Sequence, residues 1–147
     1  MLGFRLYEDG RVGVSPKTVE RLQEQVRACW DGRQSKTSGQ LRDQWRRYLD
    51  GWWNYFRPAD WRREVVDLSG WMRRHMRKCF RLRWHHPRGR YRALWRLGVR
   101  GRKLGLAKSA LGAWAPANHV IVKQALKTAT LNRYGFHLPW EREAAPR

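Results

Sequence analysis

Thirty-two Lys and Arg residues stand against only twelve Asp and Glu in this chain, a formal charge of +20 at neutral pH. Its own carboxylates can neutralise fewer than half of its cations. A stable fold must therefore turn the remainder toward water or an external polyanion, on elements whose other faces are apolar enough to build a core. The excess is concentrated: residues 42–108 carry 20 Lys and Arg and 5 Asp and Glu, or +15 in that part alone. Arg far outnumbers Lys, and a planar guanidinium grips phosphate bidentately and stacks on a base, whereas an ammonium acts as a hydrated point charge. Nucleic acid fits this preference better than a lipid surface does.

The aromatic content supplies the core. Ten tryptophans give large apolar groups that offset chain entropy in an Arg-rich chain, and Trp45, Trp52 and Trp71 are assigned to packing. Leu2, Phe4 and Leu6, the Asp9-Gly10 turn signal, and Val12 and Val14 predict a short hairpin. Ser15-Pro16 reads as a helix start, and Val19, Leu22, Val26 and Cys29 or Trp30 continue at helical spacing to about Trp30. Asp31 to Gly39 reads as a loop, and Leu41, Trp45, Tyr48, Leu49 and Trp52 mark a second helix. Pro58 ends it. A third helix is expected from Trp61 or Val65 to about Trp84 with a kink at Ser69-Gly70, then a turn over His85 to Gly89 and a fourth helix from Tyr91 to Leu97. Gly98 to Gly105 reads as a basic loop, and a last helix runs from Pro116 to about Leu131, capped by Gly135. Trp140 anchors the tail, and Glu141 to Arg147 frays. The fold class is mainly α, a helical bundle of about five helices with a short N-terminal β-hairpin.

The clearest candidate surface is the helix around Trp71 to Arg81. On a wheel, Arg73, Arg74, Arg77, Lys78 and Arg81 fall within a sector of about 140°, while Leu68, Trp71, Met72, His75, Met76, Cys79 and Phe80 lie opposite. No acid on the same helix interrupts that sector, so these cations call for an external anion or distant carboxylates. Arg46, Arg47, Arg62 and Arg63 add charge nearby, with Arg83, Arg88 and Arg90 beyond. Trp53 or Tyr55 is a candidate to stack on an unpaired base. Arg100, Arg102, Lys103 and Lys108, punctuated by Gly101 and Gly105, form a weaker candidate for phosphate contact.

Other chemistries find little purchase. His75 and Cys79 share a helix face, but a metal wants three or four converging ligands, and a buried helix position explains both; no metal and no cofactor is expected. The chain has no Gly-rich phosphate loop, serine elbow, paired carboxylates or acidic cluster for catalytic magnesium, so no enzyme is expected. Cys29 and Cys79 are too few and too far apart in sequence for a disulfide scaffold, which suits a reducing compartment. The start MLGFRLYEDG lacks the pattern of a signal peptide, and no apolar run approaches a membrane span. A soluble, cytoplasmic protein with no membrane partner is the expectation.

Several blocks together carry a family resemblance. LGF at Leu2 to Phe4, LDGWWNYFR at Leu49 to Arg57, MRRHMRKCFRLRW, YRALWRLG, and GAW followed by QALKTATLNRYGF occur in an order that resembles the C-terminal thumb and maturase-specific domain of group II intron reverse transcriptase/maturases. The likeness runs from about Leu2 to Leu138. It implies a hairpin and thumb-like segment over 1–57, a maturase-specific helical domain over 58–138 and a flexible tail over 139–147. It also implies a module that binds and stabilises structured group II intron RNA to assist splicing, with Arg57, Arg73, Arg74, Arg77 and Arg81 as matching candidates for contact. Relatives carry a polymerase upstream with an acidic metal-binding motif; this chain begins after that point, so reverse transcription by the chain alone is not expected. Ala115 follows Trp114 where many relatives have a basic residue, which argues against an RNA contact there. Two rival readings remain open: a fragment or subunit that works with a reverse transcriptase polypeptide supplied by another chain, and a nonspecific or DNA-binding basic helical protein.

Overall fold

The Asp9-Gly10 turn closes a two-stranded antiparallel sheet, β1 (Phe4–Leu6) and β2 (Val12–Val14), in the register Phe4 to Val14, Arg5 to Gly13 and Leu6 to Val12. Gly10 has φ +86°, a left-handed conformation that costs glycine little, and Asp9 accepts from the Arg11 amide and guanidinium. The computed structural model describes residues 3–57, 63–109 and 113–144; Leu2, Pro58, Trp61 and Arg62 of the sequence reading lie outside them.

Helix α1 (Pro16–Cys29) starts where Ser15 takes the Thr18 amide and Pro16 occupies the first turn. Helix α2 (Ser38–Phe56) begins earlier than its apolar pattern suggests. Thr37 accepts from the Gln40 amide at 3.2 Å while Gln40 accepts from the Thr37 amide at 2.9 Å, a capping box that draws Ser38 and Gly39 out of the expected loop. The expected third helix is two: α3 (Arg63–Val66) and α4 (Ser69–Arg83). The break falls at Asp67-Leu68, just before the predicted kink, because the Ser69 hydroxyl takes the Val66 carbonyl at 2.6 Å in place of a continuing helical bond.

Helix α5 (Pro87–Arg96) absorbs most of the predicted turn. Pro87 opens the helix rather than blocking it, and His86 before it is extended (φ −92°, ψ 132°), as a residue preceding proline prefers. Its end is a Schellman motif: Gly98, at φ +92°, donates to Trp95 and Val99 donates to Leu94. The expected basic loop contains a helix, α6 (Arg102–Ala107), since Leu104 and Ala107 share a face that is buried. The predicted last helix is again two, α7 (Trp114–Ala125) and α8 (Thr128–Arg133), and α8 ends in a second Schellman motif through Gly135. The tail does not fray at Glu141: α9 (Pro139–Ala144) places Trp140 at 5% exposure, its indole nitrogen donating to the Ser69 hydroxyl at 2.9 Å.

The fold is a mainly α bundle with its hairpin at the N-terminal end. Trp45 is fully buried, lies with its ring tilted 59° and 5.4 Å from that of Trp30, and donates to the His137 carbonyl. Trp30, Phe80 and Phe136 meet at tilted and edge-on angles with centroids 5.5–6.1 Å apart. Trp52 and Trp71 pack half-buried against this core. Helix α4 runs through the middle, with Met72, Met76, Cys79 and Phe80 buried. Burial pushes the thiols of Cys29 and Cys79 up to about 11. Among the described residues, no helix is long and apolar enough to cross a membrane.

Candidate nucleic-acid interface

Four of the five α4 arginines, all but Arg74, reach partners on other parts of the chain. Arg73, only 11% exposed at its side chain, pairs with Glu141 on α9. Arg77 donates through Nε to the Leu126 carbonyl at the end of α7, at 2.8 Å. Arg81 Nη1 lies 2.5 Å from Nδ1 of His119 on α7, and Arg83 donates to the carbonyls of Gln34 and Lys36 in the α1–α2 loop. The expected free stripe is thus corrected. A wheel registers only acids on the same helix, whereas Glu141 comes from 68 residues away and the other partners are carbonyls and an imidazole. Desolvation, with the neighbouring Arg73 charge, lowers the pKa of Arg77.

Two further expectations fail on burial. Arg90 is 3% exposed; it donates to the carbonyls of Ala107 and Ser109 and lies 4.5 Å over the Trp114 ring, so it fastens α5 to the end of α6 and the start of α7. Trp53 is 4% exposed and packs 5.5 Å from Trp140, which leaves it no face for a base. Tyr55 is 55% exposed, with its ring against Phe56 and Phe4.

What stays accessible is distributed differently. Arg46, Arg47, Arg74, Lys78, Arg88 and Arg102 are exposed and have no hydrogen-bond or ion-pair partner among the described residues. Arg57 is exposed at the end of α2, and Arg63 makes an exposed 3.8 Å pair with Asp67 of the kind that contributes little. Arg100 folds back on the Trp95 ring and carbonyl, Lys103 reaches Gln124, and Lys108 lies 4.6 Å over Tyr91. Beside Arg74 and Lys78, Arg27 covers the Trp71 ring and His75 lies 4.4 Å from it. Burial first, then the charges of Lys78, Arg27 and Arg74, lowers the His75 pKa. No group of three or more His, Cys, Asp or Glu among the described residues could hold a metal ion.

The most ordered free cations are on α5, where Arg88, Arg92 and Arg96 recur every fourth residue, all exposed. That spacing stacks them along one side of the helix over about 12 Å. Arg88 and Arg92 border a concavity with Tyr91 and Lys108. Arg96 borders another, of about 260 Å³, between the start of α2 and the ends of α4, α5 and α8, which Arg42, Trp84 and Tyr134 also line. Arg42, Arg92, Arg96 and Tyr134 were not candidates in the sequence reading. The four-residue spacing in PRGRYRALWR is the signal for the α5 row, hidden by reading Pro87 as a turn; nothing local announces that Arg42 and Tyr134 meet it.

Residues 19–98, which contain the α5 row, match the family model described as the group II intron maturase-specific domain. No curated protein matches the chain.

Proposed function

Since the chain belongs to the family of the group II intron maturase-specific domain, we propose that it binds structured group II intron RNA and stabilises the fold in which that RNA splices, the chemistry being the ribozyme's own. The observation that carries this reading is the row of Arg88, Arg92 and Arg96, exposed and free of hydrogen-bond or ion-pair partners among the described residues. A regularly spaced row of guanidinium groups suits a phosphate backbone, because phosphate contacts position a protein on RNA while shape and unpaired bases supply selectivity. Arg46, Arg47, Arg74 and Lys78 extend the accessible positive surface and are proposed as secondary contacts. Arg57, Arg63 and Arg102 are proposed with them.

The test is competition at matched salt. A folded group II intron RNA should displace duplex DNA from the protein, and affinity for it should fall steeply as salt rises. Equal affinity for both at every salt concentration would leave only a nonspecific basic protein.

A second reading, in which the chain acts alongside a polymerase polypeptide, is favoured by the N-terminal hairpin, where Leu6 stands 73% exposed on a strand with one open edge. Co-purification with such a polypeptide, lost on Leu6→Ser, is its test.

A further inference from the structure

The groove that Arg96 shares with Arg42 has a composition that a phosphate site alone would not need. Its floor is apolar, made by Phe80, Leu126 and Phe136, which are 6%, 4% and 5% exposed. Its aromatic walls differ from the floor in being accessible. Trp84 is half-buried, with its ring 5.9 Å from that of Phe80. Tyr134 is 45% exposed, with the Arg133 guanidinium 5.3 Å from its ring centre. At about 260 Å³ the space is smaller than the roughly 300–1,000 Å³ of sites for drug-sized ligands and suits one flat heteroaromatic ring system.

The two cations at its rim are held in different ways. Arg42 has its stem against Gly135, where a Cβ would come within 2.8 Å of Cδ, so the arginine is aimed by packing. Its one ion pair among the described residues, to Asp43 at 3.2 Å, is exposed on both sides and weak. Arg96 has no hydrogen-bond or ion-pair partner among the described residues. An apolar, aromatic-walled slot with cations at its mouth is complementary to a base whose own phosphates lie just outside. An apolar peptide side chain would fill the slot but give these guanidinium groups nothing to bind.

We propose that this groove takes a single unstacked nucleobase of the bound RNA, with Tyr134 and Trp84 against its faces and Arg42 and Arg96 on the flanking phosphates. The inference rests on the RNA-binding reading and adds a position to it. Because stacking surfaces dominate the lining, the site should tolerate different bases.

The experiment uses the full chain and two probes: a single-stranded RNA carrying 4-thiouridine, and a blunt-ended, fully paired RNA duplex. Irradiation should crosslink the thiouridine to Tyr134 or Trp84. Tyr134→Ala should weaken single-strand binding about tenfold with its salt dependence unchanged, and leave duplex binding as it was. Ala93→Phe, which fills the groove without removing a charge, should do the same, and Tyr134→Phe should restore binding. Arg96→Gln should instead reduce the salt slope by about one. Crosslinks confined to other residues, or single-strand binding at parental strength in both Tyr134→Ala and Ala93→Phe, would overturn the groove assignment while RNA binding stands. Displacement from the groove by an apolar peptide with RNA still bound would overturn it too. Absence of salt-sensitive binding to either RNA would remove the functional reading beneath it.

Discussion

Arg77 of α4 donates through Nε to the carbonyl of Leu126, 2.8 Å away and 49 residues on, at the point where α7 stops. The end of a helix leaves carbonyls without partners and concentrates negative potential, so a cation there satisfies a hydrogen bond and the helix dipole together. Arg77→Met should lower unfolding free energy by about 2 kcal/mol, in line with hydrogen bonds from charged groups. Urea denaturation checks this. If Arg77 were a solvated RNA contact only, stability would stay within error of the parent.

The partnership of Arg73 with Glu141 makes α9 part of the body. Arg73 is 11% exposed at its side chain and Glu141 36%, so the pair is screened less than a surface bridge but is not sealed from water. Glu141→Gln is expected to cost about 1–2 kcal/mol. Trp140→Ala should cost more, about 3–5 kcal/mol, because it also empties a buried site beside Trp53. Thermal melts of the two variants should fall in that order.

Gly135 ties backbone conformation to the groove. At φ +91° a side chain costs about 1–2 kcal/mol, and its Cβ would strike the stem of Arg42. Gly135→Ala should therefore lose both stability and RNA affinity. Gly98→Ala, at φ +92° with open space around it, should lose stability alone. Paired melting and binding curves separate the two.

The buried thiols of Cys29 and Cys79 give a pH signature. Each is pushed up to about 11 from an ordinary value of 9.0, chiefly by desolvation. Between those values the folded state keeps protons that the unfolded chain has released. Their contribution to stability is therefore complete below about pH 9 and declines as pH rises toward 11. The double variant Cys29→Ala/Cys79→Ala should lose less stability than the parent between pH 8 and pH 10, measured by denaturant midpoints. At pH 8 neither thiol should react with a thiol reagent until the protein unfolds.

Where the sequence reading succeeded, the determinants were local. The hairpin turn at Asp9-Gly10, the Ser15-Pro16 start, the apolar face of α4 and the Gly135 cap are each written within a few neighbouring residues, and each is present. The kink expected at Ser69-Gly70 is a full break at Asp67-Leu68, marked by a side-chain bond, while the break at Leu126-Lys127 was not legible, because the apolar pattern runs on through it and only a distant guanidinium marks the stop. Charge was the least legible property of all. The count of cations was plain, but which of them are consumed inside depends on carbonyls that no residue type reveals. Arg73, Arg77, Arg83 and Arg90 turned inward, while Arg88, Arg92 and Arg96 remained outside.

That division gives the most direct measurement. A protein with Arg88, Arg92 and Arg96 all changed to Gln should melt with the parent, yet bind a group II intron RNA more weakly, with a salt slope smaller by about three. Parental affinity and slope in that triple variant, at unchanged stability, would contradict the α5 row as the surface that holds RNA.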